Sequence, residues 1–95
     1  MILRIITPEK EVVNQDSITF IHVILSDGYP ISIYPRHAPL IALLSKCNIK
    51  YKDAHDVNQV SISEGMIKIE YDVIMCFVNW ANPIELVIGN GQEKL

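Results

Sequence analysis

The stretch of sequence that decides the fold is Met66–Val78, which reads MIKIEYDVIMCFV. Before Tyr71-Asp72, apolar residues recur at every second position, and after it come β-branched, aromatic and sulfur-containing residues. Alternation with a period of two is typical of a half-buried strand, whereas a helix needs a period near 3.6. The stretch therefore predicts two strands joined by a tight connection.

The same period recurs along most of the chain. It predicts further strands at Leu3–Ile6, Glu11–Asn14, Ile18–Leu25, Ile49–Lys52 and Asn58–Ser63. Turn-forming residues separate these strands, for example Thr7–Lys10, Asp27-Gly28 and Asp53–Asp56. Strands spaced about 8–12 residues apart are typical of an all-β sandwich or barrel. Pro39–Ser45 fits either a turn of helix or a bulged strand.

The size and charge of the chain limit its class. Its 95 residues and 10.8 kDa allow one domain with one compact core. The formal net charge of −3 argues against a nucleic-acid partner, because binding a phosphate backbone needs a basic face. The longest apolar runs are too short to span a bilayer, and the N-terminus does not read as a signal peptide.

The end of the chain differs in composition from the rest. Asn82-Pro83 interrupts the preceding strand pattern, and Gly89-Asn90-Gly91 disfavours regular structure. We therefore expect a β domain over residues 1–81 and a short tail over residues 82–95. The last residues, Gln92–Leu95, are expected to be frayed.

The residue types that carry chemistry are scattered. Cys47 and Cys76 lie among apolar neighbours and are expected to be free thiols rather than a disulfide. His22, His37 and His55 have no nucleophile or ligand at the spacing that catalysis or metal binding requires. We expect no catalytic residues, no metal and no cofactor.

Two strands are apolar on both faces. Ile18–Leu25 and Val73–Trp80 carry apolar residues at nearly every position, although a strand of a two-layer sandwich usually turns one face to water. Either loops or the tail cover the second face, or a partner protein does. If a partner covers Ile18–Leu25, Ile21 and Val23 are candidate contact residues.

The most unusual segment is Ile33–Leu40, which reads IYPRHAPL. Its two prolines fix φ twice and bias the residues that precede them towards an extended backbone. We expect either a recognition loop or a rigid crossover between sheets. The residues that form the crossover are Tyr34, Pro35, Arg36 and Pro39.

This segment resembles the sequence I-Y-P-G-H-A-P-L of the ε subunit of F-type ATP synthases, called δ in mitochondria. The opening residues Leu3–Glu9 and the turn Ile62–Met66 are also similar to that family. The resemblance covers about residues 2–81 and implies an antiparallel β-sandwich of eight to ten short strands.

The sequence departs from the family pattern at several points. Arg36 replaces a glycine, a version that occurs in the divergent alternate or N-type branch. That branch usually lacks the Ala-Pro-Leu that follows here, so the branch stays open. Glu64 also replaces a glycine, and the loop Asp27–Ser32 is one residue longer than usual. After Trp80 nothing resembles the family's C-terminal helical hairpin, which implies a sandwich-only member without that hairpin's regulation.

The resemblance implies a mechanical function. It indicates a non-catalytic rotor subunit of the central stalk that links the γ subunit to the membrane c-ring and so couples ion translocation to ATP synthesis or hydrolysis. Matching positions would turn Thr7, His37 and Ala42 towards γ. The loop that would approach the c-ring comprises Asp27, Gly28, Tyr29, Pro30 and Ile31.

The resemblance also implies a location and a set of partners. The chain would lie on the cytoplasmic face of the energy-coupling membrane, most simply the bacterial plasma membrane. It would contact the membrane only through the complex and the F1 head only indirectly. The alternative is a free-standing β-sandwich protein-binding module derived from the same family.

Overall fold

A computed structural model describes residues 1–84 of the chain, and every regular element in them is a β-strand. The strands are β1 (Ile2–Ile6), β2 (Glu11–Gln15), β3 (Phe20–Ile24), β4 (Pro30–Ile33), β5 (Leu40–Leu44), β6 (Cys47–Lys52), β7 (Val57–Ile62), β8 (Gly65–Glu70), β9 (Val73–Val78) and β10 (Ala81–Ile84). The predicted all-β fold is confirmed.

The ten strands form two five-stranded sheets that pack face to face. The first sheet has the order β2-β1-β9-β8-β5, and the second has the order β10-β7-β6-β3-β4. Neighbouring strands are antiparallel except β1 and β9, which run parallel with Ile2 opposite Val73 and Ile6 opposite Phe77. The sandwich is therefore as predicted, apart from this one parallel pair.

The core consists of the side chains that alternate inward from both sheets. Leu3 and Ile5 of β1 are fully buried, as are Ile67 of β8 and Ile74 of β9. They face Ile49 of β6 and the other inward residues of the second sheet. Full burial of one such side chain stabilises the fold by about 1.5–3 kcal/mol. The alternation in the sequence thus sets the two layers.

Backbone hydrogen bonds join the two sheets at one corner. Beyond β3, Leu25 forms an antiparallel bridge with Leu44 of β5. The Ser26 N–H donates to the Leu43 carbonyl at 2.9 Å, and the Ser45 N–H donates to the Ile24 carbonyl at 2.9 Å. The end of β3 is therefore shared between the sheets.

A side-chain hydroxyl organises a second corner. The chain passes between the sheets at Ser63, after β7, and again at Asn79-Trp80, after β9. Ser63 Oγ accepts the N–H of Asn79 at 2.8 Å and that of Trp80 at 3.2 Å. The buried hydroxyl thus satisfies two backbone donors where the ladder is interrupted.

Two segments that the sequence left open or assigned to the tail are strands. Residues 40–44 form a regular strand that pairs with β8 from Leu40–Ile69 to Leu44–Gly65. Asn82-Pro83 lies within β10, which pairs with β7. Proline is tolerated there because β10 is the edge of its sheet. The expected fraying of Gln92–Leu95 lies outside the described residues.

The strand directions divide the connections between two ends of the sandwich. The Thr7 end, as we call it, holds the turn Thr7–Lys10, the loop Ser26–Tyr29 and the crossing at Ser63. The opposite end, the Arg36 end, holds the crossover Tyr34–Pro39, the hairpin turn Asp53–Asp56 and the turn Tyr71-Asp72.

Candidate partner-binding surfaces

The outer side of the first sheet carries a row of large apolar side chains. Ile6 of β1 lies opposite Phe77 of β9, Phe77 lies opposite Met66 of β8, and Met66 lies opposite Leu43 of β5. Ile41 precedes this row on β5 by two residues and points to the same side. We call these five residues the apolar face.

The apolar face is open to solvent. Ile41 and Leu43 expose 67% and 63% of their surface, and Met66 and Phe77 are also exposed. A cavity of about 410 Å³ continues the face at the Thr7 end, and Ile6, Thr7, Pro8, Glu64, Gly65, Phe77, Val78 and Asn79 line it. Contiguous exposed apolar surface of this kind marks interaction sites on soluble proteins.

Charged side chains border the apolar face in pairs. Arg4 Nε lies 2.5 Å from a carboxylate oxygen of Glu11, and Lys68 Nζ lies 3.7 Å from a carboxylate oxygen of Glu70. Arg4 and Lys68 stand on β1 and β8, one row from Phe77 and Met66. Because each cation has its own anion, the net charge of this border is small.

The outer side of the second sheet is mixed, because polar side chains interrupt its apolar ones. His22 lies opposite Lys50, and Lys50 lies opposite Gln59. His22 Nδ1 lies 3.2 Å from the hydroxyl of Ser32 on β4. The two outer surfaces therefore have different chemistry, and among residues 1–84 only the first presents a continuous apolar row.

Ile21 and Val23 are not surface residues. Both are fully buried, because β3 turns these positions inward between the sheets. The half-buried side chains of Phe20, His22 and Ile24 alternate with them on the outside. The prediction that Ile21 and Val23 contact a partner is therefore wrong. Apolar residues lie on both faces of β3, so the sequence does not show which face points into the core.

The other residues expected to face γ lie far apart in the fold. Thr7 is buried, and its hydroxyl accepts the N–H groups of Glu9 and Lys10 at 3.3 and 3.2 Å and so caps the turn. Ala42 is half-buried and packs against the core. His37 is exposed at the opposite end, where its Nδ1 lies 2.7 Å from the Ala38 carbonyl oxygen.

The residues expected to approach the c-ring are only in part a loop: Asp27, Gly28 and Tyr29 form the exposed tip of the β3–β4 hairpin, whereas Pro30 and Ile31 begin β4 and Ile31 packs against the core. Asp27 accepts the N–H of Tyr29 at 3.1 Å, and Gly28 has a φ of 90°, which a residue with a side chain rarely adopts. The Tyr29 ring is exposed. The loop lies at the Thr7 end, the end that also holds the cavity of about 410 Å³.

The proline segment passes from β4 in the second sheet to β5 in the first. Within it, Arg36 has a φ of 65°, in the left-handed region that favours glycine. The Arg36 N–H donates to Asp72 Oδ1 at 2.6 Å and so holds the crossover to the β8–β9 turn. Arginine therefore takes the backbone conformation that glycine adopts without strain.

The two thiols are free, as expected. Cys76 is fully buried on the inner side of β9, and Cys47 is half-buried at the start of β6. Burial raises the pKa of Cys76 to about 12, and the neighbouring Cys47 adds to the effect. Burial also raises the pKa of Cys47. Both side chains act as apolar filling rather than as nucleophiles.

Residues 1–84 contain no group of three histidine, cysteine, aspartate or glutamate side chains that could hold a metal ion. In the same part of the chain, no helix has the length and hydropathy to cross a membrane.

Sequence reasoning missed the main residues of the apolar face. Leu43 and Ile41 lie in the segment that was left open, and Ile6 and Met66 were assigned only to strands. The apolar character of both sides of Val73–Trp80 was the signal, and Phe77 lies on its exposed side. Strand register was needed to bring the remaining side chains into one row.

Residues 1–84 match the sequence profile described as "ATP synthase, Delta/Epsilon chain, beta-sandwich domain". The chain belongs to this family. It is similar to the ATP synthase epsilon chain of Solibacter usitatus, with 28% identity over 83 residues. This similarity covers 87% of the chain but only 60% of the relative, so the chain spans less than two thirds of that family member.

Chains in solved ATP synthase structures have the same fold. A chain of the Euglena gracilis mitochondrial ATP synthase, in a structure of OSCP, F1 and c-ring, superposes with a TM-score of 0.79 at 16% identity, over 87% of this chain and 52% of that one. A chain of the Tetrahymena thermophila mitochondrial ATP synthase, in a structure of the central stalk and c-ring, gives a TM-score of 0.72 at 17% identity, over 85% and 64%.

Proposed function

We propose that this chain is a non-catalytic subunit of the central stalk of an F-type ATP synthase, which links γ to the c-ring and couples ion translocation to ATP synthesis or hydrolysis. Family membership supports this function, and the apolar face is the single observation that carries it. A sandwich with a complete core of its own has no internal need for Phe77 and Leu43 on its exterior.

The apolar face is the surface proposed for γ. It crosses four strands of the first sheet, so a partner that covers it is held by the whole sheet and not by one loop. Stable interfaces bury about 800 Å² on each partner and have an apolar centre with a polar rim. The paired charges of Arg4–Glu11 and Lys68–Glu70 supply such a rim.

The loop Asp27–Ile31 is the surface proposed for the c-ring. It projects from one end of the sandwich, so its contacts do not compete with a partner on the sheet face. On this proposal the chain is peripheral, on the cytoplasmic face of the bacterial plasma membrane, and contacts the membrane only through the complex.

Co-expression with the γ subunit of the same complex tests the main surface. Leu43→Asp and Phe77→Asp should keep the fold, because both side chains are exposed, and should weaken the complex with γ about 100-fold, as the loss of a central interface residue does. Val57→Asp is the matched control, since Val57 is an exposed apolar residue on the other sheet. Equal binding by all three variants would refute the assignment. If the wild-type chain does not bind γ at all, the free-standing binding module is the better interpretation.

Cross-linking in the assembled complex tests the loop. In a Cys47→Ala background, Tyr29→Cys should form a disulfide with cysteines placed in the polar loops of the c subunits. Ala54→Cys, in the exposed hairpin turn at the opposite end, should not. The reverse pattern would show that the Arg36 end faces the membrane.

A further inference from the structure

Two cations stand on the same outer surface of the first sheet as the apolar face. Arg4 of β1 and Lys68 of β8 each lie directly opposite Met75 of β9, one on either side of it. β9 is the middle strand of the five in this sheet. The outer surface therefore carries two positive charges at one level, placed symmetrically about its central strand.

The symmetric placement of the two cations opposes contact between two copies of the chain. A dimer that buries the same face of both copies has a two-fold axis in the plane between the two sheets. If the axis runs along β9, β1 of one copy lies over β8 of the other, and Arg4 faces Lys68 of the second copy. If the axis crosses the strands at Met75, Arg4 faces Arg4 and Lys68 faces Lys68. Both dimers place like charges opposite each other, which is unfavourable at an interface.

The carboxylates beside the two cations do not remove this conflict. Glu11 pairs with Arg4 and Glu70 pairs with Lys68, in each case within one copy. With the axis along β9, Glu11 on β2 lies over β5 of the second copy, which carries the most exposed side chains of the apolar face. A carboxylate covered by apolar side chains loses its hydration and gains no new partner there. The anions therefore add a second cost to such a dimer.

The edge strands within residues 1–84 also resist pairing with a second copy. On the open side of β5, the Leu43 carbonyl already accepts the Ser26 N–H at 2.9 Å, and the residue before the strand, Pro39, has no N–H to donate. The edge strands β4 and β10 contain Pro30 and Pro83, and β2 shifts its register against β1. Prolines and bulges of this kind prevent edge-to-edge association of sheets.

We propose that Arg4 and Lys68 are specificity residues, which keep a second copy of the chain off the apolar face and so leave this face to a different protein. The repulsion acts between identical surfaces, because a different partner need not carry cations at the matching positions. The inference concerns contact between copies of this chain only. It therefore holds or fails whether or not γ is the protein that covers the face.

Charge reversal tests the inference on the isolated chain, by sedimentation equilibrium over a series of concentrations. The wild type should be a monomer. Arg4→Glu and Lys68→Glu should each form a dimer, because the axis along β9 then creates two opposite-charge pairs. The dissociation constant of this dimer should lie at least about tenfold below the limit set by the wild type. The double variant Arg4→Glu/Lys68→Glu should be a monomer again, since the facing side chains are then both negative.

Lys50→Glu is the matched control. Lys50 is an exposed lysine on β6, the middle strand of the second sheet, and its reversal changes the net charge by the same amount. This variant should stay a monomer. Circular dichroism establishes that each variant is folded. Lys68→Gln removes the cation without adding a carboxylate beside Glu70, so it is the milder substitution, and its dimer should be weaker than that of Lys68→Glu.

Three outcomes would overturn the inference. The first is a wild-type dimer that Leu43→Asp separates, and the second is a set of folded single variants that all remain monomers. The third is equal association of the single and double variants, because the sign of the facing charges would then have no effect. Binding of γ is measured separately. If γ binds while the single variants stay monomeric, the inference fails and the proposed function stands; if the single variants dimerise but the wild type does not bind γ, the reverse holds.

Discussion

Gly65 of β8 lies against Phe77 of β9 so closely that a side chain on the glycine would collide with the backbone. A Cβ atom on Gly65 would overlap the Phe77 carbonyl oxygen and lie 2.8 Å from Val78 Cγ1. The two strands could accept it only by moving apart, which would disturb the row of the apolar face.

Gly65→Ala should therefore destabilise the chain by about 3 kcal/mol, as overpacking against an immobile backbone does. Urea unfolding followed by circular dichroism measures the change. Gly28→Ala is the comparison, because a Cβ there meets nothing within 4 Å and adds only left-handed strain at a φ of 90°, about 1 kcal/mol. A smaller loss for Gly65→Ala than for Gly28→Ala would contradict the packing of β8 on β9.

Ile21→Ala should cost about 2–5 kcal/mol of unfolding free energy, because Ile21 is fully buried and its truncation leaves a cavity. The surviving folded fraction should bind γ with wild-type affinity, because the residue does not reach the surface. Thermal unfolding and a binding titration on one preparation measure both quantities. If Ile21→Ala had nearly normal stability but bound γ more weakly, Ile21 would be an interface residue after all.

The buried thiol predicts a loss of stability in alkali. Burial raises the pKa of Cys76 to about 12, so the folded state holds this proton more tightly than the unfolded state. The resulting stabilisation is complete below about pH 9 and disappears as the pH rises towards 12. Cys76→Val should remove this component, so the stability of the wild type should fall towards that of the variant across this range. Parallel curves for the two proteins would disprove it.

The hairpin turn between β6 and β7 predicts an effect in acid. The Asp53 carboxylate accepts the N–H groups of Asp56 and His55 at 2.7 and 2.8 Å, and these bonds lower its pKa below the ordinary value of an aspartate. The stabilisation is present above that value and is lost as the pH falls through the lowered pKa. Asp53→Ala should be less stable than the wild type at pH 7, and the difference should shrink at pH 2. A constant difference in urea unfolding at the two pH values would be the contrary result.

Most of the fold could be predicted because strand periodicity is a property of the backbone itself. Alternating stretches such as Met66–Val78 became strands with the expected turns between them. Leu40–Leu44 could not be assigned, since its residues are apolar throughout and only pairing with β8 makes it a strand. The strand β10 was missed because proline is excluded from central strands but not from edges.

The candidate site was harder to predict than the fold. When both faces of a strand are apolar, alternation does not say which face is buried, and a one-residue error exchanges the two. Ile21 was assigned to the outer face in this way although it lies in the core. Phe77, by contrast, lies on the exposed face of its strand. The apolar face also depends on register between β1, β9, β8 and β5, which are not all consecutive in the chain. The left-handed φ of Arg36 could not be predicted from its residue type, because arginine has no preference for that region.

The parallel pairing of β1 with β9 has a consequence for synthesis. β1 finds its central neighbour only after most of the domain has been made, because Ile2 pairs with Val73. Until then β1 pairs with β2 alone among the described strands, and contacts as distant in sequence as that of β1 with β9 form slowly. The first sheet of the domain thus stays incomplete during synthesis until β9 has emerged.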